Sequence, residues 1–262
     1  MQNAKRKEAL LKLLTQKSMV SVSELSGLFH LSEVSIRKLL VQMEAEGSLK
    51  RTWGGAVSAH GSLSEFSHEE KAALNLEEKK AIAKTAYDCI ANGEAIFLDS
   101  GTTTLELARL IAKGDKRDIM IVTNALNIAM EFHLAEDIEV MLIGGHFRHK
   151  ILCCTGFFAL EALKHLFFDK GFVTGNHFTP ERGFTTPSLQ EAEMKRKVLE
   201  VSKESYILMD SSKYGNDSLS LIVPCEAVNF LITDNHIPQA TILQLQEKGL
   251  QVLVAQSLGE SL

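Results

Sequence analysis

The run Asp99-Ser100-Gly101-Thr102-Thr103-Thr104 sets four hydroxyls and a glycine between an apolar run, 95–98, and an amphipathic segment, 105–112. A strand, a small hydroxyl-bearing loop and a helix N-terminus together form a cradle for an anion. Backbone N–H groups and hydroxyls converge on it, and the helix dipole favours the negative charge. The same residues fit a plainer account in which Thr103 and Glu106 make a capping box, and the two accounts are compatible. A second set has different chemistry. Ser35, Arg37 and Lys38 lie off the apolar face of a segment at 31–46, and Lys50, Arg51, Trp53, Gly54 and Gly55 follow as a basic corner. Donors of this kind on one helix face suit contact with phosphates and base edges of duplex DNA. An amphipathic helix with a merely solvated basic face is the competing account.

The elements that must hold the basic set can be read from the pattern. Ser32 is placed to cap a helix, and Glu33 puts a negative charge where the dipole favours it. Ile36, Leu39, Leu40 and Met43 make one apolar stripe, and Gly47 stops the helix. Two shorter helical segments precede it. One runs from Lys5 to Lys17 with Ala9, Leu10, Leu13 and Leu14 on one side, and the next, capped by Ser23, carries Leu25, Leu28 and Phe29 inwards. Val20 and Val22 suggest a very short strand between them. Helix, turn, helix and basic hairpin give a winged helix-turn-helix, and its three stripes close one small core over residues 1–57.

The anion cradle needs a larger scaffold. Apolar runs at 95–98, 119–122, 140–143, 171–173, 206–209, 230–232 and 252–254 suit buried parallel strands, with amphipathic helices between most of them. That alternation predicts an α/β domain with helices on both faces of the sheet, covering 76–262. Residues 58–75 are polar and poorly periodic and read as a linker. In such sheets ligands bind outside the carboxyl ends of the strands. Polar turns stand at several of those ends: Thr123-Asn124, Gly144-Gly145 with Arg148 beyond, Gly175-Asn176, and Asp210-Ser211-Ser212-Lys213.

Composition narrows the class. The 262 residues are 45% hydrophobic and 23% charged, ordinary values for globular domains. The net charge of −5 conceals an asymmetry: residues 1–60 hold nine Lys/Arg against five acids, +4, which leaves −9 on the remainder. A basic module on an acidic body suits a protein that docks one face on phosphates. The four cysteines form no metal spacing and read as reduced thiols, and the nine histidines show no zinc-enzyme pattern. Neither a metal nor a cofactor is expected. No signal peptide and no apolar run of about 20 residues is visible, so a cytoplasmic protein without a membrane span is expected. Lys195, Arg196 and Lys197 in the helical segment 191–201 read as a solvated face, with Glu191–Lys195 and Glu193–Lys197 as i,i+4 pairs.

The basic segment resembles the DNA-binding domain of the DeoR family of bacterial transcriptional regulators. The match runs through Ser32, Ile36, Arg37, Leu40, Glu44, Gly47, Leu49, Arg51 and Gly54-Gly55-Ala56, with Leu39 and Trp53 as departures. The polar turns are similar to that family's effector domain at Asp99, Gly101-Thr102-Thr103, Thr123-Asn124, Gly144-Gly145, Arg148, Gly183, Thr185-Thr186 and Asp210-Ser211-Ser212-Lys213. The fold class this implies is an N-terminal winged helix-turn-helix followed by an α/β, ribose-5-phosphate isomerase-like sensor domain. The resemblance further implies a phosphorylated sugar as effector. It would be held by Asp99, Ser100, Gly101, Thr102, Thr103 and Thr104 with Asn124, Gly144 and Gly145, and Arg148 and Lys213 would supply charge. Double-stranded operator DNA would be held by Ser32, Ser35, Arg37, Lys38, Lys50, Arg51 and Arg6. The expected protein is a repressor of a sugar-metabolism operon and not an enzyme, working as a homo-oligomer, dimer or tetramer, because one winged helix reads too few base pairs. An isomerase or transferase with a DNA-binding appendage, and a sensor for a partner protein, are the alternatives.

Overall fold

Leu10, Leu14, Leu25, Ile36, Leu40 and Met43 are all buried in one small core. They belong to the first of two compact units, Met1–Glu65 and Phe66–Leu262, in a computed structural model that describes residues 2–16, 19–52, 54–58 and 67–256. This first unit runs α1 (Gln2–Gln16), β1 (Met19–Ser21), α2 (Val22–Phe29), α3 (Glu33–Ala45), β2 (Leu49–Thr52) and β3 (Gly55–Ser58). The strands form an antiparallel sheet in the order β1-β3-β2. Gly55 is required where β3 meets β1, because a Cβ there would lie 2.0 Å from the Val20 carbonyl oxygen.

Two local expectations are corrected. The cap of α2 is Ser21, extended at φ −91°, whose Oγ accepts from Glu24 N at 3.1 Å, and Ser23 lies inside the helix. Starting at Val22 puts Val22, Leu25 and Phe29 on one stripe at helical spacing. Leu28 falls off that stripe and is 53% exposed. The α3 expectations agree with the structure: Ser32 caps it, the four stripe residues are buried, and Gly47 at φ +74° ends it.

The second unit opens with α4 (His68–Ala73), α5 (Leu76–Asp88), β4 (Ala95–Leu98), α6 (Thr102–Lys113), β5 (Ile119–Thr123), α7 (Leu126–Glu131) and β6 (Ile138–Leu142). It continues with β7 (His146–Arg148), β8 (Cys153–Thr155), α8 (Phe157–Leu163), β9 (Phe168–Val173), β10 (His177–Thr179), β11 (Gly183–Thr186) and α9 (Leu189–Glu200). It ends with β12 (Ser202–Leu208), β13 (Ser220–Val223), β14 (Phe230–Asp234), α10 (Gln239–Glu247) and β15 (Gln251–Ala255). All seven apolar runs become strands of one parallel sheet, ordered β15-β14-β12-β9-β4-β5-β6. Side chains alternate across it. Ile96 and Leu98 join the core under α5, α6 and α7, while Phe97 joins the core under α8, α9 and α10.

From β4 the chain moves outwards to β5 and β6, then returns to β9 on the other side of β4 and moves outwards again. The β4/β9 boundary is therefore a topological switch point, where the crevice at the strand ends opens. Two small antiparallel sheets, β7-β8 and β10-β11-β13, occupy stretches in which no strand was expected from sequence. Of the stretch read as linker, residues 67–75 are described and carry α4. Its Ser67/Glu70 capping box is complete and His68 is buried. The neighbouring thiols Cys153 and Cys154 are both free, and burial pushes that of Cys153 up to about 12.

Candidate functional site

At the switch point lies a cavity of about 610 Å³, its open mouth included. Ser100, Gly101, Thr102 and Thr103 form one wall, Thr174, Gly175 and Asn176 after β9 form the next, and Asp210 and Lys213 after β12 close the side. The loop folds this way for a local reason. Gly101 is the N-cap of α6 in extended conformation and makes no side-chain capping bond, while Glu106 pairs with Arg109 at 2.6 Å. The capping box between Thr103 and Glu106 does not form. The first-turn amides of α6 therefore have neither a preceding carbonyl nor a side-chain oxygen as cap, which is the geometry that receives an anion. Only glycine fits at 101, since a Cβ would approach the Thr174 side chain to 2.3 Å.

Several expected residues support the wall from behind. The Thr104 hydroxyl donates to the carbonyls of Asp99 and Gly101, and Asp99 is buried beneath the loop. The Asp99 carboxylate accepts from Thr174 N at 3.0 Å, from Thr174 Oγ1 at 2.8 Å, and from the Lys195 ammonium. Burial works against that charge, but Lys195 outweighs burial and holds the carboxyl below its usual range. The same contest on Lys195 ends with Asp99 and Glu191 raising its ammonium above the usual lysine value.

Lys195 is thus a correction to the sequence reading. It is 4% exposed and anchored to Asp99, not part of a solvated face with Arg196 and Lys197. Arg196 donates to the carbonyls of Leu221 and Ile222, and Lys197 pairs with Glu200 at 3.4 Å. Glu191, also expected at the surface, lines the cavity and pairs with Arg148. Arg148 therefore reaches the site through Glu191. Asn124 lies outside the cavity wall: its amide donates to the Cys154 carbonyl at 2.8 Å and fastens β8. Gly144 and Gly145 belong to the turn before β7 and do not line the cavity either.

Beyond Thr174, Glu191 and Lys195, three further titratable wall residues were missed by sequence reasoning. His68 and Lys71 come from α4 and Lys79 from α5, segments read as linker and as an ordinary helix. No motif marked them; only the amphipathic spacing of 76–88 hinted that Lys79 falls on the buried side. At the far end of the wall Asn176 accepts from Thr186 Oγ1 at 3.1 Å. Next to it, burial pushes His177 down to about 4, and its ring meets Ser218 Oγ at 2.8 Å.

In the first unit, Ser32, Ser35, Arg37 and Lys38 are exposed together on the N-terminal half of α3. Ser32 Oγ accepts from Ser35 N at 3.3 Å and is hydrogen-bonded to the Ser35 hydroxyl at 3.0 Å. Arg37 pairs with Glu33 one turn back at 3.1 Å. Arg51 is fixed to the end of α3: its N and Nε donate to the Glu44 carboxylate at 2.8 and 2.6 Å, and these bonds hold Glu44 below its usual range. Arg6 is half-buried on α1. The side chain of Lys50, and Trp53 altogether, lie outside the described residues.

A helix-turn-helix with a wing, joined to an α/β unit with a hydroxyl-lined cavity, is matched at both ends by known families. The description of a DeoR-like helix-turn-helix domain fits residues 6–62, and that of the DeoR C terminal sensor domain fits residues 74–235. The chain belongs to the DeoR family. It is 34% identical over 253 residues to a protein named for repression of the aga operon in Escherichia coli O157:H7, covering 96% of this chain and 93% of that protein. It is 33% identical over 250 residues to the GlpR regulator of Haloferax volcanii, covering 95% and 97%. It is also 33% identical over 235 residues to the lactose phosphotransferase system repressor of Staphylococcus epidermidis, covering 88% and 92%. Solved structures align more loosely. A ribose-5-phosphate isomerase in complex with phospho-erythronic acid gives a TM-score of 0.39 at 17% identity, over 52% of this chain and 53% of that one. A translation initiation factor eIF-2B from Pyrococcus horikoshii gives 0.43 at 14%, over 60% and 62%. As a DeoR-family member the chain is a DNA-binding transcriptional regulator and not an enzyme. Among the described residues no helix is long and apolar enough to cross a membrane.

Proposed function

We propose that this DeoR-family regulator represses a sugar-metabolism operon and that a phosphorylated sugar changes its hold on the operator. Residues 1–57 bind duplex DNA, 58–75 join the parts, and 76–262 sense the metabolite and assemble at least a dimer in the cytoplasm. On the DNA side Ser35, Arg37 and Lys38 face the major groove, Ser32 orients the helix start, and Lys50, Arg51 and Arg6 meet phosphates. On the effector side Ser100, Gly101, Thr102 and Thr103 receive the phosphate with Lys213 beside it. Asp99 and Thr104 hold that loop from beneath, Arg148 positions Glu191 on the cavity wall, and Asn124, Gly144 and Gly145 shape the neighbouring β7-β8 ribbon.

The observation that carries this reading is the uncapped N-terminus of α6, ringed by hydroxyls and set at the switch point of the sheet. Relatives named for the aga operon and the lactose phosphotransferase system lend it a sugar context. Valine at both Thr102 and Thr103 keeps the shape and removes two hydroxyl donors. Each hydrogen bond to a charged group is worth about 1.5–3 kcal/mol, so the double variant should lose roughly a hundredfold or more in affinity for a sugar phosphate. Operator affinity without effector should stay unchanged. Calorimetry with a panel of sugar phosphates, beside an operator titration, reads both; equal affinities for the variant and the parent protein would refute the assignment.

A further inference from the structure

We infer that β6 is the edge on which a second copy of this chain docks, strand against strand about a two-fold axis at Met141. This rests on the reading above that the second unit assembles at least a dimer, and adds the surface that does so.

β6 ends the seven-stranded sheet beyond β5, and no strand among the described residues pairs with its outer side. The hydrogen bonds to β5 show which of its groups are open. Ile143, the residue after β6, donates its N to the Thr123 carbonyl at 2.8 Å. Backbone groups alternate in direction along a strand, so those of Met141 and Glu139 also turn to β5. Those of Val140 and Leu142 turn outwards. Such an edge is usually guarded by lysine, proline or a bulge. β6 has neither lysine nor proline and pairs with β5 in unbroken register. Its single charge is Glu139, and Met141 and Leu142 are 41% and 44% exposed. The opposite edge differs, because β15 exposes no large apolar residue.

The helices on both faces extend this apolar surface. α7 packs against β6 on one face and exposes Leu126 and Met130, about one turn apart. On the other face Ile143 shares a core with Ala159 of α8. That helix exposes Phe157 and Phe158 at 69% and 77%, with their rings 5.6 Å apart. A stable pair removes about 800 Å² of surface from each copy. Two phenylalanines that can each bury about 150–250 Å², with four further apolar side chains and the strand itself, reach that order.

Charge and backbone together select the occupant. Parallel pairing in register would set Glu139 directly against the same residue of the second copy, like charge on like charge. A two-fold axis at Met141 instead sets Val140 against Leu142 of the second copy, and the reverse. Each of those pairs then exchanges both of its outward N–H and C=O groups, and one surface serves both partners. The two copies of Glu139 come to lie about 14 Å apart along the strands.

The test uses the full chain, sedimentation equilibrium and amide hydrogen exchange. The parent protein should sediment at twice its chain mass of 28.9 kDa or at a higher multiple. Leu142→Pro removes one outward N–H and spares the bonds to β5, since proline is tolerated where a strand's N–H faces out. The pair loses two hydrogen bonds, one per copy, and should dissociate roughly ten- to hundredfold more readily. Leu142→Lys puts a charge on each side of the contact and should weaken it likewise. In the parent, the amides of Val140 and Leu142 should exchange slowly where the protein is assembled and quickly on dilution. A folded variant of either kind that assembles as tightly as the parent overturns the inference and leaves the dimer reading standing. If neither variant folds, exchange in the parent decides. Fast exchange at 140 and 142 in the assembled protein overturns the inference. So does slow exchange that dilution to single chains leaves unchanged, because a segment of the same chain then covers the edge. A parent that sediments as one chain at every concentration overturns both readings.

Discussion

Alanine at Asp99 should destabilise the second unit by about 3–5 kcal/mol, the usual consequence of leaving a buried charge without its partner. The loss has two sources in this fold. Lys195 is 4% exposed and its ammonium donates to Asp99, so its charge would be stranded between α9 and the sheet. Thr174 would lose the acceptor of both its N and its hydroxyl, and with it the fixed edge against which Gly101 packs. Urea denaturation should show one weakened transition, that of residues 66–262, beside an unchanged transition for the first unit. The partner test is Asp99→Ala with Lys195→Met, which removes both charges. The double variant should recover most of the stability, because well-packed apolar replacements of a buried pair are often neutral or better. It should not recover effector binding, since the loop loses its buttress. The pair also sets an acid limit. Asp99 titrates below the usual carboxylate range, so its contribution is full above about pH 4 and is lost only as pH falls through that depressed value. A single Asp99→Ala variant as stable as the parent would mean that the charge pair does not organise the site.

Alanine at both Arg37 and Lys38 should abolish operator binding while leaving the protein folded. Both side chains are exposed on α3, away from the buried stripe of Ile36, Leu39, Leu40 and Met43, so stability should change by no more than about 0.5 kcal/mol. Arg37 gives up little to reach DNA: its pair with Glu33 is an exposed i,i+4 contact, worth about 0.3–0.5 kcal/mol. A base-edge contact is worth about 1–3 kcal/mol, and each is made twice in a dimer on two half-sites. Anisotropy titrations should therefore show specific affinity reduced to the non-specific level. The salt slope should become shallower by about one for each phosphate contact removed. Retained affinity with an unchanged slope would take α3 out of its assigned role.

The sheet was legible because buried parallel strands leave apolar runs on both faces, and each of the seven runs lies at a strand of the final sheet. The loop from Ser100 to Thr103 was legible for a related reason: hydroxyls and glycine between a strand and a helix leave few other conformations. What escaped was charge. Lys195 sits beside Arg196 and Lys197 in a segment that reads as solvated, and its partner Asp99 lies 96 residues away. Nothing local records such a pairing. Likewise α4 reads as linker because its six residues contain only alanines besides polar groups, yet its burial comes from packing on α6. The β7-β8 and β10-β11-β13 ribbons have strands of three or four residues, too short for alternation to register. Leu28 shows the opposite failure. It stands at i,i+3 from Leu25, but the stripe that packs is centred on Val22, Leu25 and Phe29, and Leu28 falls at its solvent edge.

The central claim is that an anion held in one unit governs the grip of the other on duplex DNA. Its most direct measurement is a fluorescence-anisotropy titration of the full chain against duplex from its own promoter region, at low and moderate ionic strength. Each titration is run with and without a panel of sugar phosphates. The account predicts tight binding that falls steeply with salt, as expected when several phosphates are neutralised. It also predicts that at least one sugar phosphate shifts the affinity by about fivefold or more. Failure to bind that duplex under any of these conditions would contradict it, as would binding indifferent to every sugar phosphate tried.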